Sequence, residues 1–377
     1  MEEQKQSGEQ PKFRPFLAVI ICAISACFFT TMSLLTKVIY KMYPTCGVYS
    51  ILIFRCLGAT LILTPYTFNK HWKEREKHNL LLSWTSLNQL KWGIAIGHII
   101  IVSILVQVCL RVFPITLVTI FLNCGPILTV FLCAALLSSE KLTNSIVIKV
   151  VVAFIGVLFI TFGAPETETS DAATQLPGQD ALSQGETEVN EKVEARWYHY
   201  ITLVAMPLAI ALGNTMMGEV RNLDPILIPF YLNLIITVIG IFVCSFGENG
   251  FFPSEHDLSV HPKWIFLLLT LICQGISSLL AWSLKVLAYK YDRVSRVSPV
   301  FYLESAFALI LDLILFDATF TGLQIIGLAL VIGVFAFIII SAYLSKDESE
   351  VGEAKDGAAE ESNEGIGGDE KLLVGAT

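Results

Sequence analysis

Apolar residues along this chain come in blocks of about twenty, each closed by a short polar stretch. Such a block crosses roughly 30 Å of hydrocarbon when helical. Helix is also the form in which a single segment pairs its own N–H and C=O groups where lipid offers no partner. The blocks run Pro15–Tyr40, Cys46–Phe68, Trp92–Phe113, Ile115–Leu137 and Ser145–Gly163, then His199–Met217, Ile226–Phe246, Trp264–Leu287, Ser298–Phe316 and Leu323–Leu344. The pattern predicts an all-α polytopic membrane protein with ten transmembrane helices. The first block follows a polar, acid-containing start and is too long for the core of a typical signal peptide, so it reads as a permanent span.

Composition supports the pattern. Hydrophobic residues make up 54% of the chain and charged residues 15%, against about 25% charged in a soluble domain. The net charge of -8 is unevenly spread. Residues 164–196 carry eight acids against two bases, and residues 346–377 carry ten against three, which leaves the membrane body at +5. Both acidic stretches lack aromatics and apolar runs, so the sequence predicts disorder for them. The expected organisation is a tail (1–14), a first five-helix unit (15–163), a disordered acidic linker (164–197), a second five-helix unit (198–344) and a disordered acidic tail (345–377). Lys12, Arg14, Lys70, Lys73, Arg75, Lys77, Lys91, Lys141, Arg221, Lys290, Arg293 and Arg296 fall on one side of this topology. The positive-inside rule then places both termini in the cytoplasm.

An odd number of spans per half would insert two similar halves in opposite senses, as inverted five-helix repeats. Aligning Cys124–Ile160 with Phe301–Phe337 brings Glu140 to Asp317, Gly156 to Gly333 and Val157 to Val334. Pro44 and Pro225 similarly precede the second span of each half.

An ionisable group inside a span costs about 2.5–3.5 kcal/mol on insertion scales, so each one asks for a reason. Glu304, about six residues into its block, reads as a carboxylate for a cationic group or a proton, or as a buried helix–helix contact. Arg55 offers a bidentate fork to an anionic group, or pairs with an acid on another helix. Asn123 beside Gly125-Pro126, Gln107, Asn214 and Gln274 are polar candidates for a solute pathway, and Tyr302 an aromatic one; Asn233, Ser277, Phe301, Trp282 and Tyr231 are further candidates. Asp312, eight residues after Glu304, lies on a neighbouring face of the same helix. Lys149 and Lys285 read as long stems reaching the interface from span ends, and Lys37 and Arg111 sit near the other surface. Gly93 and Gly97 form a small-residue packing motif. Nine scattered cysteines without a C-x-x-C read as buried free thiols. No metalloprotease, nucleophile-elbow or P-loop signature occurs, so neither an enzyme nor an ATP-driven pump is expected, and no metal or cofactor is called for. A basic nucleic-acid footprint is also missing. Asp369 to Leu373 has the form of an acidic dileucine sorting signal.

With these residues in view, the chain resembles the drug/metabolite transporter superfamily, EamA-like branch, related to the solute carrier 35 families. FRCLGATLILTP carries the family's usual arginine at Arg55. NCGPILTVFLCAALLSSEKLT carries its proline and helix-closing acid at Pro126 and Glu140, and PVFYLESAFALILDLILFDATFTGLQIIG repeats the pattern. This chain departs from it at Glu304, where a proline is common, and at Asp317. It has Ile236 or Thr237 opposite Arg55. The resemblance implies a carrier with a central cavity and alternating access. The expected function is secondary transport of a small organic solute, coupled to protons or run as exchange. A nucleotide-sugar or phosphorylated-metabolite exchanger of Golgi or endoplasmic reticulum, and a non-transporting membrane scaffold, stand as alternatives. The expected partners are the solute and the lipid bilayer of a plasma or endosomal/Golgi membrane, with homodimerisation open.

Overall fold

The computed structural model describes residues 14–73, 115–137, 143–163, 197–219, 226–246, 251–316 and 320–364, together with isolated positions between 93 and 109. Everything described is helix, turn or loop. The helices are α1 (Pro15–Met42), α2 (Val48–Lys73), α3 (Ile115–Asn123), α4 (Gly125–Leu136), α5 (Asn144–Phe162), α6 (Trp197–Glu219) and α7 (Leu227–Phe246). There follow α8 (Glu255–Val260), α9 (Lys263–Leu267), α10 (Gly275–Tyr291), α11 (Val294–Val297), α12 (Leu303–Phe316) and α13 (Gly322–Glu364). Among the described residues, eight helical stretches are long and apolar enough to cross a membrane, and Ile120–Leu136 is a shorter apolar one. The third apolar block, with Gln107 and Arg111, lies mostly outside the described residues, as do Glu140, Asp317 and the acidic linker.

The outside of the bundle is apolar. Phe68, Phe162, Trp197, Val238, Phe242 and Ile325 are all exposed, far more than a soluble monomer tolerates. The polar groups Ser25, Thr129, Thr215, Asn233, Gln274 and Ser278 are instead buried. That inversion is the arrangement a bilayer selects, and the protein is an integral multi-pass membrane protein.

Helix irregularities have visible chemical causes. The fourth block breaks at Cys124 into α3 and α4, because Pro126 has no N–H for the preceding turn. The eighth block is not uniform either: Leu268–Gln274 is a π-helical stretch joining α9 to α10. The ninth begins as α11, passes through a 3₁₀ turn at Ser298–Tyr302 that holds Pro299, and continues as α12. Helix α13 runs past the hydropathy boundary at Leu344 to Glu364, through a stretch rich in the helix formers Ala, Glu and Lys.

Packing follows a repeated scheme. Helix α2 lies on α7, α5 on α13, α1 on α10 and α12, and α4 on α6. At the α5–α13 crossing a Cβ on Gly156 would crowd the Gly327 carbonyl, so paired glycines set the close approach. Helix α1 is the central post. Cys22, Ser25, Phe29, Met32, Thr36, Ile39 and Tyr43 follow alternating three- and four-residue steps, a coiled-coil seam along one face. Up that seam, Cys22 Sγ donates to the Val297 carbonyl at 3.7 Å. Ser25 Oγ donates to the Ala281 carbonyl at 2.7 Å, and Tyr43 Oη to the Pro262 carbonyl at 3.1 Å.

One end of the bundle is tied by a polar latch. Asp257, buried at 5% exposure, accepts from the Thr45 N–H at 3.0 Å and from Thr45 Oγ1 at 2.5 Å. Thr45 Oγ1 in turn accepts from the Ser254 N–H at 2.8 Å, and Ser254 Oγ caps α8 by accepting from the Asp257 N–H. Beneath it Tyr43, Phe54 and Phe252 each pack edge to face with Phe266. Burial, with the Asp257 charge next, pushes the Cys46 thiol in this loop up to about 12, so it stays protonated. The described cysteines are all free, and most are buried as expected, but Cys27 faces outward.

Candidate functional site

The seam of α1 carries two charged clusters one helical turn apart. The lower surrounds Lys285. In the sequence this lysine sits two residues before the apolar block ends at Leu287, which made it look terminal. The structure continues α10 to Tyr291, so Lys285 lies six residues, about 9 Å, inside the helix end. It is only 8% exposed, and the interfacial reading is corrected accordingly. Its Nζ lies 4.7 Å from the ring centre of Phe301 and 4.9 Å from that of Trp282. Phe29 and Tyr289 complete the wall at 5.9 and 6.0 Å. Phe29 stands edge-on to Trp282, centroids 5.1 Å apart, which fixes the cage. Cation–π contacts of this kind contribute about 0.5–2 kcal/mol each, less than the cost of burying an ammonium.

Glu304 faces the same cluster from the first turn of α12. Thr30 Oγ1 donates to its backbone carbonyl at 3.2 Å, fixing α12 to α1. The carboxylate and Lys285 interact as opposite charges, without a close ion pair. Glu304 is half-buried, so its side chain keeps some accessible surface. Lys285 and Glu304 thus form a separated charge pair, with the lysine held among aromatic rings.

The upper cluster gathers on Met32. Arg55 Nη1 meets the Met32 thioether at 3.3 Å, and Gln274 Nε2 reaches the Met32 carbonyl at 3.5 Å and Thr36 Oγ1 at 2.8 Å. Arg55 and Gly58 share a face of α2. A Cβ on Gly58 would overlap the Leu271 carbonyl, and one on Gly275 would press on Gly58. Those two glycines let α2 approach the π-helical stretch closely enough to bring Arg55 and Gln274 to the same residue. Wide turns of this type recur at functional sites, and this one ends on Gln274.

The other expected residues are placed differently. Asn214 is buried and donates to Thr129 Oγ1 at 3.2 Å, joining α6 to α4. Asn123 closes α3 at the break before Pro126 and is half-buried. Tyr302 is buried against Phe154, and its hydroxyl finds no hydrogen-bond partner among the described residues. Gln107 lies outside the described residues, as does the side chain of Asp312. Lys149 does not simply run to the interface: it donates to Ser341 Oγ at 3.2 Å and lies over Phe337. The sequence reading thus named Arg55, Gln274 and Glu304 but missed Lys285, Phe29, Met32 and Thr36. The three-and-four spacing on the first block was the signal that would have grouped the last three.

Glu304, Lys285 and Gln274 all belong to the second half of the chain, which is the part matched by a family model. Residues 197–340 match the EamA-like transporter family. The EamA-like segment runs from α6 into α13, agrees with the drug/metabolite transporter resemblance, and contains both charges of the lower cluster. Arg55 lies in the half outside it. A solved crystal structure shares the fold at TM-score 0.62 and 14% identity, covering 85% of this chain and 96% of its own. A search of the curated proteins finds no match.

Proposed function

We propose that this protein is a secondary carrier of a small organic solute. The EamA-like match supports membrane transport of small solutes as the class. The observation that carries the reading to a site is the Lys285–Glu304 pair: two opposite charges kept apart, the lysine among aromatic rings, where α1, α10 and α12 meet. A helix bundle built only for stability has no use for separated charges in its interior, since apolar residues of similar volume serve as well or better. A solute that enters between them supplies the missing contacts.

In this reading the two halves form inverted five-span repeats that rock about the site, exposing it to each side in turn. The helix pairs α2–α7 and α5–α13 would lie on the symmetry axis, which is what their packing supports. Both termini lie in the cytoplasm, of a plasma or endomembrane, on the strength of the Lys and Arg distribution. Glu304 is the coupling group: protonating it changes the charge of the cluster by one while Lys285 stays opposite.

The test is uptake of a metabolite panel into proteoliposomes, with and without a pH gradient. Wild type should show saturable uptake of one solute class, stimulated by the gradient. Lys285→Gln should lose uptake, and Glu304→Gln should lose the response to the gradient. Uptake by Glu304→Gln that responds like wild type removes the coupling role. A correctly folded wild type that moves nothing removes the carrier.

A further inference from the structure

Among the described residues Arg55 has no acceptor that matches it. A guanidinium carries five N–H donors. Here Nη1 meets only the Met32 thioether, the Cys56 thiol lies alongside, and Nε is buried without a partner. Sulfur is a weak acceptor. Beside it, fully buried Gln274 spends its Nε2 on Thr36 and Met32, while its Oε1 is buried with no donor. A donor set and an acceptor are therefore left open on adjacent helices, on two side chains that both reach Met32.

Charge points the same way. Arg55 and Lys285 bring two positive charges against one from Glu304, and no further acid joins them among the described residues. Phe29 and Met32 stand three residues apart on one face of α1, so the clusters lie about 4.5 Å apart along the helix. One small molecule spans them. The surplus of one positive charge fits a monocarboxylate better than a phosphate ester, which carries nearly two negative charges at neutral pH.

We propose that Arg55 and Gln274 form the anion-binding end of the solute site, and that the cargo is a small monocarboxylate with a planar or apolar body. The carboxylate takes the paired N–H groups of Arg55, a hydroxyl on the solute donates to Gln274 Oε1, and the body lies along Phe29 and Trp282. This rests on the carrier reading for the site's role in transport, but the binding chemistry is separately testable.

Purified full-length protein in detergent is titrated with benzoate, benzyl alcohol, benzylamine and phenyl phosphate, with thermal stabilisation as the readout. Benzoate should stabilise saturably and the other three much less. Arg55→Gln should weaken benzoate by at least about tenfold, the loss of roughly 1.4 kcal/mol. Arg55→Lys should fall between, because an ammonium keeps the charge without the fork. Stabilisation by benzylamine or phenyl phosphate above benzoate, by none of the four, or by benzoate equally in Arg55→Gln, overturns the proposal. If Arg55→Gln does not fold, the wild-type series decides alone. Benzoate binding without uptake in proteoliposomes keeps the anion site and removes the carrier. Arg55-independent uptake of an uncharged solute does the reverse.

Discussion

Two buried carboxylates in this protein are treated in opposite ways. Asp257, in the latch at one end of the bundle, accepts from a backbone N–H and a hydroxyl, and its neighbours are themselves hydrogen-bonded. Glu304, mid-bundle, has no hydrogen bond to its carboxylate among the described residues, and its opposite charge, Lys285, is held back among aromatic rings. A satisfied buried acid fastens two segments. An unsatisfied one, with an unsatisfied partner, leaves bonding capacity for something that arrives. The contrast separates the part of the fold that holds the chain together from the part that is open to chemistry.

The largest effect is expected at the latch. Asp257→Ala removes a charged acceptor and strands Thr45 and its N–H. At about 1.5–3 kcal/mol for each hydrogen bond to a charged group, the loss should be about 3 kcal/mol. Chemical unfolding in detergent micelles, followed by tryptophan fluorescence, measures it. A loss below about 0.5 kcal/mol, within the range of an ordinary surface substitution, would mean that the latch is decorative and that the two acids are not different in kind.

The mid-bundle pair should respond with the other sign. The double variant Lys285→Met, Glu304→Gln removes two unsatisfied charges and keeps most of the volume, so stability should rise by about 1–2 kcal/mol. Each single variant should be less stable than the double, because it leaves one charge alone. Uptake should fall more than about tenfold in all three, over 1.4 kcal/mol in transport terms. That pairing of gained stability with lost function is the mark of a site held open against its own stability. A double variant as unstable as Asp257→Ala would make the pair a fastening, and the carrier reading would lose its site.

How much of this was legible beforehand depends on which physical signal each residue gives. The spans were readable because hydropathy is a property of whole segments. Predicted and observed ends agree to a few residues for α1, α2, α5, α6 and α7. Glu304 and Arg55 were readable because a charge in an apolar run stands out. Lys285 was not, since its role turns on where α10 stops. The last four residues, Ala288 to Tyr291, fall outside the apolar block because two tyrosines and a lysine lower its hydropathy, yet they continue the helix. The π-helical stretch had no signature among apolar residues, and the approach that calls for it is made by Gly58 on another helix. The latch joins residues more than two hundred positions apart, and nothing local in either segment announces it.

The smallest expected effect tests the same idea on one residue type. Lys149 and Lys285 sit at similar distances from a helix end, Lys149 five residues from the start of α5 and Lys285 six from the end of α10. Lys149 is half-buried, donates to Ser341 and lies over Phe337, tying α5 to α13. Lys285 is enclosed by rings and has no acceptor among the described residues. Lys149→Met should therefore cost well under about 1 kcal/mol, in line with interhelical hydrogen bonds that average about 0.6 kcal/mol, because the released Ser341 hydroxyl can bond within its own helix. Uptake should be unchanged. The measurement is unfolding and uptake side by side with Lys285→Met, the identical substitution. If Lys149→Met abolished uptake at unchanged stability, α5 and α13 would be moving parts of the cycle, and the division between fastened and open regions would have to be drawn between helices rather than along them.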